Sequence, residues 1–176
     1  PGYGHILKMK NKTAYMGLLT ALALILSYIE ILIPFQTGIP GLKLGLANLA
    51  VVLCLYLFGF REAVLLTIVK AVLSGLLFGN LFMILYSLAG AIFSACIMGI
   101  VKAKNWLHVP VVSAMGGVTH NLGQLLVAMI TVETYRVAYY VPVLLLSGLL
   151  TGSVIGITAA LVLPYLQKLL KTEGRI

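Results

Sequence analysis

Polar side chains are rare in this sequence, and the densest group of them interrupts a long apolar stretch. His120, Asn121 and Gln124 follow Gly116 and Gly117 there. Gly116, His120 and Gln124 are spaced four residues apart, so on a helix they share one face. Such a face can bind a ligand, or it can hydrogen-bond a neighbouring helix. No carboxylate or nucleophile accompanies His120 at helical spacing, which disfavours catalysis by this histidine.

Lys70 is the one basic residue that lies inside an apolar segment. A charged side chain in hydrocarbon is unfavourable, so such residues mark functional sites. On a helix that begins near Ala63, Lys70 would lie roughly 12 Å from the helix start. The alternative interpretation is that Lys70 extends to the membrane interface or pairs with Glu62 two turns away.

The composition indicates which kind of fold positions these residues. Of the 176 residues, 61% are hydrophobic and 9% are charged, whereas a soluble domain carries about 25% charged residues. All four acidic residues are glutamates, so aspartate-rich metal motifs are excluded. Cys54 and Cys96 lack the spacing of metal ligands, and we expect no metal or cofactor. The sequence therefore predicts an integral membrane protein that is not an enzyme.

Six apolar runs predict an all-α, polytopic membrane protein with six transmembrane helices in one compact bundle. We expect turns at residues 61–62 and 79–80, and the last helix to end before Pro164. One transmembrane domain, residues 13–164, would then lie between an N-terminal tail, 1–12, and a basic C-terminal tail, 165–176. The predicted spans are residues 13–33, 44–60, 63–78, 81–101, 110–132 and 141–163.

The distribution of basic residues predicts the orientation. Of the twelve Lys and Arg residues, nine fall on the side of both termini and two on the opposite side. Both termini are therefore expected in the cytoplasm of a bacterial cell, with the bundle in its plasma membrane. Basic residues at the ends of spans indicate contact with membrane lipid and not with nucleic acid. The first run is too long for a signal peptide, and we interpret residues 1–8 as a remnant ahead of a native start near Met9.

On this topology most candidate ligand-binding residues gather on the external side. A polar cavity that opens outward, is covered by the first loop and is lined by the first and fifth spans would fit this distribution. Basic candidates slightly outnumber acidic ones, which favours a ligand with an anionic or polar head. The candidates are Glu30, Lys43, Asn48, Lys70, Asn80, His120, Asn121, Gln124 and Arg136.

Small residues at four-residue spacing predict close helix contacts. Gly148, Gly152 and Gly156 share one face of the last span, which we interpret as a packing face inside the bundle. A second face, formed by Ala14, Gly17 and Ala21 on the first span, is the best candidate for docking a partner subunit.

Four stretches carry a resemblance to a known family. They are ALALILSYIE at 21–30, KLGLANL at 43–49, LLFG at 76–79 and GGVTHNLGQ at 116–124, and the last is the most specific. The sequence resembles the heptaprenyl diphosphate synthase component I family, also called the Gx transporter family. That family is similar in topology to the substrate-binding S components of energy-coupling factor (ECF) transporters. In those, six helices bind substrate from outside, and small residues on helix one dock the transmembrane T component.

The resemblance implies a substrate-binding membrane subunit that captures a small vitamin-like or quinone- or isoprenoid-related molecule for uptake. It would work with a transmembrane T component and ATPase subunits. Two alternatives remain open: an accessory membrane subunit of a polyprenyl diphosphate synthase, and a membrane assembly factor without a ligand. Such synthases bind magnesium diphosphate through aspartate-rich motifs, so a sequence without aspartate fits only an accessory role.

Overall fold

The computed structural model describes residues 12–33, 44–105, 107–132 and 135–173. These residues form six α-helices and one short 3-10 helix, without a strand among them. The predicted all-α fold with six helices in one compact arrangement is therefore confirmed. The elements are α1 (Lys12–Leu32), α2 (Asn48–Leu57), α3 (Phe60–Phe78), α4 (Leu81–Ala103), α5 (Val109–Val132), the 3-10 helix (Tyr135–Tyr140) and α6 (Val141–Glu173).

Three segments are long and apolar enough to cross a membrane, namely Lys12–Leu32, Leu81–Ala103 and Ala138–Thr172. The chain is thus a membrane protein, and six crossings remain a prediction. The helix predicted at residues 44–60 is shorter in the structure, since α2 has only 10 residues. A helix of that length extends about 15 Å, whereas the hydrocarbon core of a bilayer is roughly 30 Å thick.

Glycines delimit α2 at both ends. Gly45 has a φ of 70°, and its carbonyl accepts the N–H of Asn48 at 2.8 Å in the turn that precedes the helix. Gly59 has a φ of 111° and joins α2 to α3. A positive φ is unfavourable for residues with a side chain. The turn that we predicted at residues 61–62 lies instead at Phe58 and Gly59.

Helix α2 lies at the centre of the bundle. Its residues 50–57 are all buried, as expected for a helix that is apolar on every face. The C-terminal end of α2 receives a cation from α4: the Lys102 Nζ donates a hydrogen bond to the Leu55 carbonyl at 2.6 Å. The same ammonium lies 5.1 Å from the centre of the Tyr56 ring. A positive charge at this end complements the carbonyls that a helix leaves unpaired.

Helices α5 and α6 approach so closely that their backbones touch. A Cβ placed on Gly117 would lie 2.2 Å from the Gly148 carbonyl oxygen, and one on Gly152 would lie 2.7 Å from the Ser113 carbonyl oxygen. A Cβ on Gly156 would lie 2.5 Å from the Cα of Pro110. The glycine face of α6 therefore packs inside the bundle, as we predicted.

The contacts of α1 with α3 show that these helices are parallel. Near their first turns, Lys12 forms an ion pair with Glu62. The hydrogen bond that Lys12 donates lowers the pKa of the Glu62 carboxyl group. Near their last turns, the ring centroids of Tyr28 and Phe78 are 5.3 Å apart. Glu62 therefore has its ion-pair partner on α1, two helical turns away from Lys70 along α3.

Helix α6 does not end before Pro164, contrary to our prediction. It continues through this residue to Glu173, and Leu163 and Leu170 on either side of Pro164 belong to the buried core. Proline removes one helix hydrogen bond, but packing of the flanking turns against neighbouring helices can maintain the helix.

Candidate ligand-binding site

A cavity of about 200 Å³ lies inside the bundle, and every α-helix contributes to its wall. The polar residues of α5 that we predicted to face a ligand lie on one side of it. The end of α1, the turn before α2 and one face of α3 form the other sides. Of the nine predicted ligand-binding residues, six line this cavity: Glu30, Asn48, Lys70, His120, Asn121 and Gln124.

Lys70 brings a positive charge into the cavity wall. The residue is only 8% exposed, and its Nζ donates a hydrogen bond to the Asn48 Oδ1 at 3.1 Å. Helix α3 positions Lys70 near its middle, and α2 positions Asn48 at its first turn. The short length of α2 brings these two side chains together. A helix that spanned the whole membrane would begin near the membrane surface, far from the middle of α3.

Close packing of α4 against α5 positions His120 and Gln124. A Cβ on Gly90 would lie 2.6 Å from both the Gln124 Cγ and the His120 carbonyl oxygen. A Cβ on Gly123 would lie 2.9 Å from the Cα of Gly90. Gln124 is 2% exposed. The missing side chain at Gly90 therefore makes room for the polar face of α5.

Asn121 lies at the cavity and also joins α5 to α6. Its Nδ2 donates to the Leu144 carbonyl oxygen at 2.7 Å and to the Ser147 Oγ at 3.2 Å. Both interpretations of the polar run, helix contact and ligand contact, thus apply to this side chain. Its side-chain oxygen is the group that a ligand could use, because the amide nitrogen holds α6.

Glu30 connects the end of α1 to the segment that leads into α2. Its carboxylate accepts the backbone N–H of Gly45 at 2.5 Å, and both residues line the cavity. Because Gly45, Ala47 and Asn48 are cavity residues on one short segment, Glu30 helps to hold that wall in place. This role adds to any direct contact of Glu30 with a ligand.

One of the other three predicted ligand-binding residues, Asn80, is not among the residues that line the cavity. Asn80 lies at the turn between α3 and α4, where its Oδ1 accepts the N–H of Met83 at 2.9 Å and caps α4. The turn itself is where we predicted it. Lys43 and the side chain of Arg136 lie outside the described residues, as does most of the first loop that we expected to cover the cavity.

The three candidate docking residues, Ala14, Gly17 and Ala21, all lie on an exposed face of α1. A Cβ on Gly17 would meet nothing within 4 Å. No helix of the described part of the chain therefore occupies this position.

Small hydroxyl residues complete the polar wall, and our sequence interpretation missed them. Ser27 lies three residues before Glu30, and Ser74 lies four residues after Lys70. Ser87 and Thr151 line the cavity from α4 and α6. Helical spacing from a predicted residue could have identified Ser27 and Ser74. For Ser87 and Thr151 no comparable signal exists, because each lies on a helix without a predicted cavity residue.

This arrangement is suited to binding. Lys70, the amides and the hydroxyl groups offer hydrogen bonds at several points of a small volume. Among residues 12–33, 44–105, 107–132 and 135–173, no group of three or more His, Cys, Asp or Glu residues lies together where it could hold a metal. Cys54 and Cys96 are both free thiols.

Comparison with known proteins gives one match. The family model described as heptaprenyl diphosphate synthase component I matches residues 19–162, which is most of the chain and includes every cavity residue. Neither the curated proteins nor the solved structures contained a match.

Proposed function

Because the chain belongs to the heptaprenyl diphosphate synthase component I family, we propose that it is a membrane subunit of a larger assembly and binds a small molecule in the cavity. We further propose that the assembly is a transporter of the ECF type, in which this chain captures substrate from outside. The observation that supports binding is the cavity itself, since polar side chains from six helices line it and three of them, Ser27, Lys70 and Gln124, are buried. Polar groups are unfavourable in a membrane interior unless they have a function or a partner.

In this proposal the cavity and the exposed face of α1 have separate tasks. The substrate binds between α1, α3 and α5, next to the segment that leads into α2. The loaded subunit then contacts a transmembrane T component through Ala14, Gly17 and Ala21, and ATPase subunits supply the energy. Reorientation of the subunit in the membrane would release the substrate in the cytoplasm.

A second function is favoured by the family description. Component I of a heptaprenyl diphosphate synthase would assemble with a second, catalytic component, and this chain would be its membrane subunit. The cavity of about 200 Å³ is smaller than the roughly 300–1,000 Å³ of pockets for drug-sized ligands. A heptaprenyl tail is longer than such ligands, so this function would place the tail on the lipid-facing surface and leave the cavity without a role.

The binding proposal predicts that His120→Ala and Gln124→Ala each weaken ligand retention by about tenfold or more, because a lost buried hydrogen bond costs about 1–3 kcal/mol. Native mass spectrometry of the gently purified protein measures the retained molecule. His108→Ala and Gln167→Ala are matched controls outside the cavity and should retain it fully. Unchanged retention in both cavity variants would refute the assignment of this site, and a retained polyprenyl diphosphate would favour the synthase function.

The docking proposal predicts that Gly17→Leu abolishes co-purification with an ATPase-containing complex while ligand retention persists. The variant should fold normally, because nothing lies within 4 Å of the position of the added Cβ. Thr158→Leu, on an exposed face of α6, controls for a larger side chain at the protein surface. Affinity purification from native membranes tests this prediction, and normal assembly of Gly17→Leu would show that α1 does not dock the partner.

A further inference from the structure

The start of α2 lies inside the bundle and not at its surface. Asn48, the first residue of α2, contacts Lys70 near the middle of α3, whereas Leu57 at the other end is separated from α3 only by Phe58 and Gly59. Helix α2 therefore runs antiparallel to α3 and covers only its first half. The segment that precedes α2 must accordingly reach into the bundle, and Gly45, Ala47 and Asn48 line the cavity.

The backbone at this helix start adds positive potential to the cavity. The N-cap residue Ala47 provides no side-chain hydrogen bond to the first turn. The N–H of Asn48 is bonded to Gly45 and that of Leu49 to Leu46, in a tight turn. The N-terminus of a helix carries about half a positive elementary charge. In membrane proteins, interrupted helices direct such ends toward anionic groups of substrates.

Lys70 lies at the same place as this helix start and reinforces its potential. Its ammonium donates a hydrogen bond to the Asn48 Oδ1, and its positive charge in the cavity wall attracts an anionic group of a ligand. His120 and the side-chain amide of Gln124 lie across the cavity on α5, where they can hydrogen-bond the same ligand from the opposite wall.

Glu30 limits the negative charge that the ligand can carry. Its carboxylate lines the cavity while it accepts the Gly45 N–H, so it lies close to the segment that leads into α2. A second negative charge on the ligand would be repelled by Glu30 in this low-dielectric site. A phosphate monoester carries about −1.5 to −2 at neutral pH, whereas a carboxylate carries a single charge.

One part of the wall is apolar. Phe78 and Gly79 at the end of α3, with Met83 on α4 and Ile31 on α1, line the part of the cavity that lies toward the turn between α3 and α4. Along α3 this part lies about two turns from Lys70, or roughly 12 Å. A ligand that bridges the two regions has one charged end and one apolar end.

We propose that the cavity binds a compact monocarboxylate, whose carboxylate lies between Lys70 and the start of α2 and whose apolar body extends toward Phe78 and Met83. This inference rests on the proposed binding function and specifies its ligand. The cavity volume of about 200 Å³ restricts the body to a single small ring or a short chain, since pockets for drug-sized ligands are larger.

The test measures binding of four probes to the full chain in lipid nanodiscs by isothermal titration calorimetry. They are 3-phenylpropionate, its neutral amide 3-phenylpropanamide, phenyl phosphate and farnesyl diphosphate. We expect 3-phenylpropionate to bind at least tenfold more tightly than each of the other three. Equal or tighter binding of the amide would overturn the charge requirement, and tighter binding of either phosphate would overturn the carboxylate or the size limit. Absence of binding by all four probes would also overturn the proposal.

Two variants test the placement of the carboxylate. Asn48→Asp keeps the size of the side chain but adds a negative charge beside Lys70, so 3-phenylpropionate should bind at least tenfold more weakly while the chain still folds. Lys70→Met should show the same loss. Asn105→Asp, outside the cavity on an exposed connection, should bind like the original chain. Unchanged affinity in Asn48→Asp and Lys70→Met would overturn the placement.

The outcome of this test is separable from the proposed function. If native mass spectrometry finds a neutral or cationic molecule that His120→Ala no longer retains, the chain binds a ligand in the cavity but the ligand is not a carboxylate. If no molecule is retained and no probe binds, both the function and the ligand class are refuted.

Discussion

Replacing Gly117 with alanine is expected to destabilise the bundle by about 3 kcal/mol, the upper end of the usual range for overpacking, and can prevent folding altogether. The added Cβ would lie 2.2 Å from the Gly148 carbonyl oxygen and 3.2 Å from the Cα of Gly152. Both neighbours are backbone atoms of α6, so no side chain can rotate away. The two helices would have to separate along their whole contact.

Unfolding of the purified protein in mixed micelles, followed by circular dichroism during titration with a denaturing detergent, measures this loss. Gly17→Ala is the matched control, because the same methyl group would meet nothing within 4 Å on α1, and its stability should be unchanged. If Gly117→Ala unfolds at the same detergent fraction as the original chain, α5 and α6 are less closely packed than described.

Replacing Glu30 with alanine is expected to weaken the fold by about 2 kcal/mol, in the range for hydrogen bonds that involve a charged group. The change removes the acceptor of the Gly45 N–H at 2.5 Å and leaves this segment attached to α1 by fewer contacts. Ligand retention should fall as well, since Gly45, Ala47 and Asn48 form part of the cavity wall. Glu30→Gln keeps an acceptor oxygen, so about half of the stability loss should be recovered.

Hydrogen exchange measured by mass spectrometry follows the effect directly. The peptide that contains Gly45 should exchange faster in Glu30→Ala than in the original chain. Glu62→Ala is the matched control: it removes the ion pair with Lys12 at the opposite end of α1 and should leave exchange at Gly45 unchanged. Equal exchange in Glu30→Ala and the original chain would contradict the role of Glu30 in holding this segment.

Much of the cavity could be predicted because polar groups are so rare in this sequence. Within apolar helices, Lys70, His120, Asn121 and Gln124 have few favourable positions other than the interior of the bundle. The six helices and the close contact between α5 and α6 could also be predicted. In a membrane, apolar runs form helices and glycine repeats form close helix contacts.

Neither the half-length of α2 nor the contact between Asn48 and Lys70 could be predicted from the sequence. The apolar run 44–60 is continuous, and only the backbone shows that Gly45 and Gly59 adopt positive φ values. Hydropathy reports how apolar a segment is, and a helix buried at the centre of a bundle is as apolar as a helix that faces lipid. A buried half-helix and a membrane span therefore look alike in sequence.

The end of α6 was mispredicted for a related reason. Proline is a strong stop signal in an isolated helix, so Pro164 suggested a boundary. In the bundle, Leu163, Leu166 and Leu170 pack into or against the core, and this packing outweighs the loss of one hydrogen bond. The prediction relied on the low helix propensity of Pro164, whereas in the structure tertiary contacts determine where α6 ends.

The length of α6 makes bilayer thickness a variable in the behaviour of this protein. Its 33 residues extend about 50 Å, against a hydrocarbon core of roughly 30 Å. To fit the whole helix within this core, its tilt angle would have to exceed about 50°, beyond the range of about 0–40° found for membrane helices. The turns after Pro164 therefore extend into the headgroup layer, where Tyr165 and Leu169 are exposed beside Lys168 and Lys171. A thicker membrane would bury more of this apolar surface, so hydrophobic mismatch would make the stability of the protein depend on bilayer thickness.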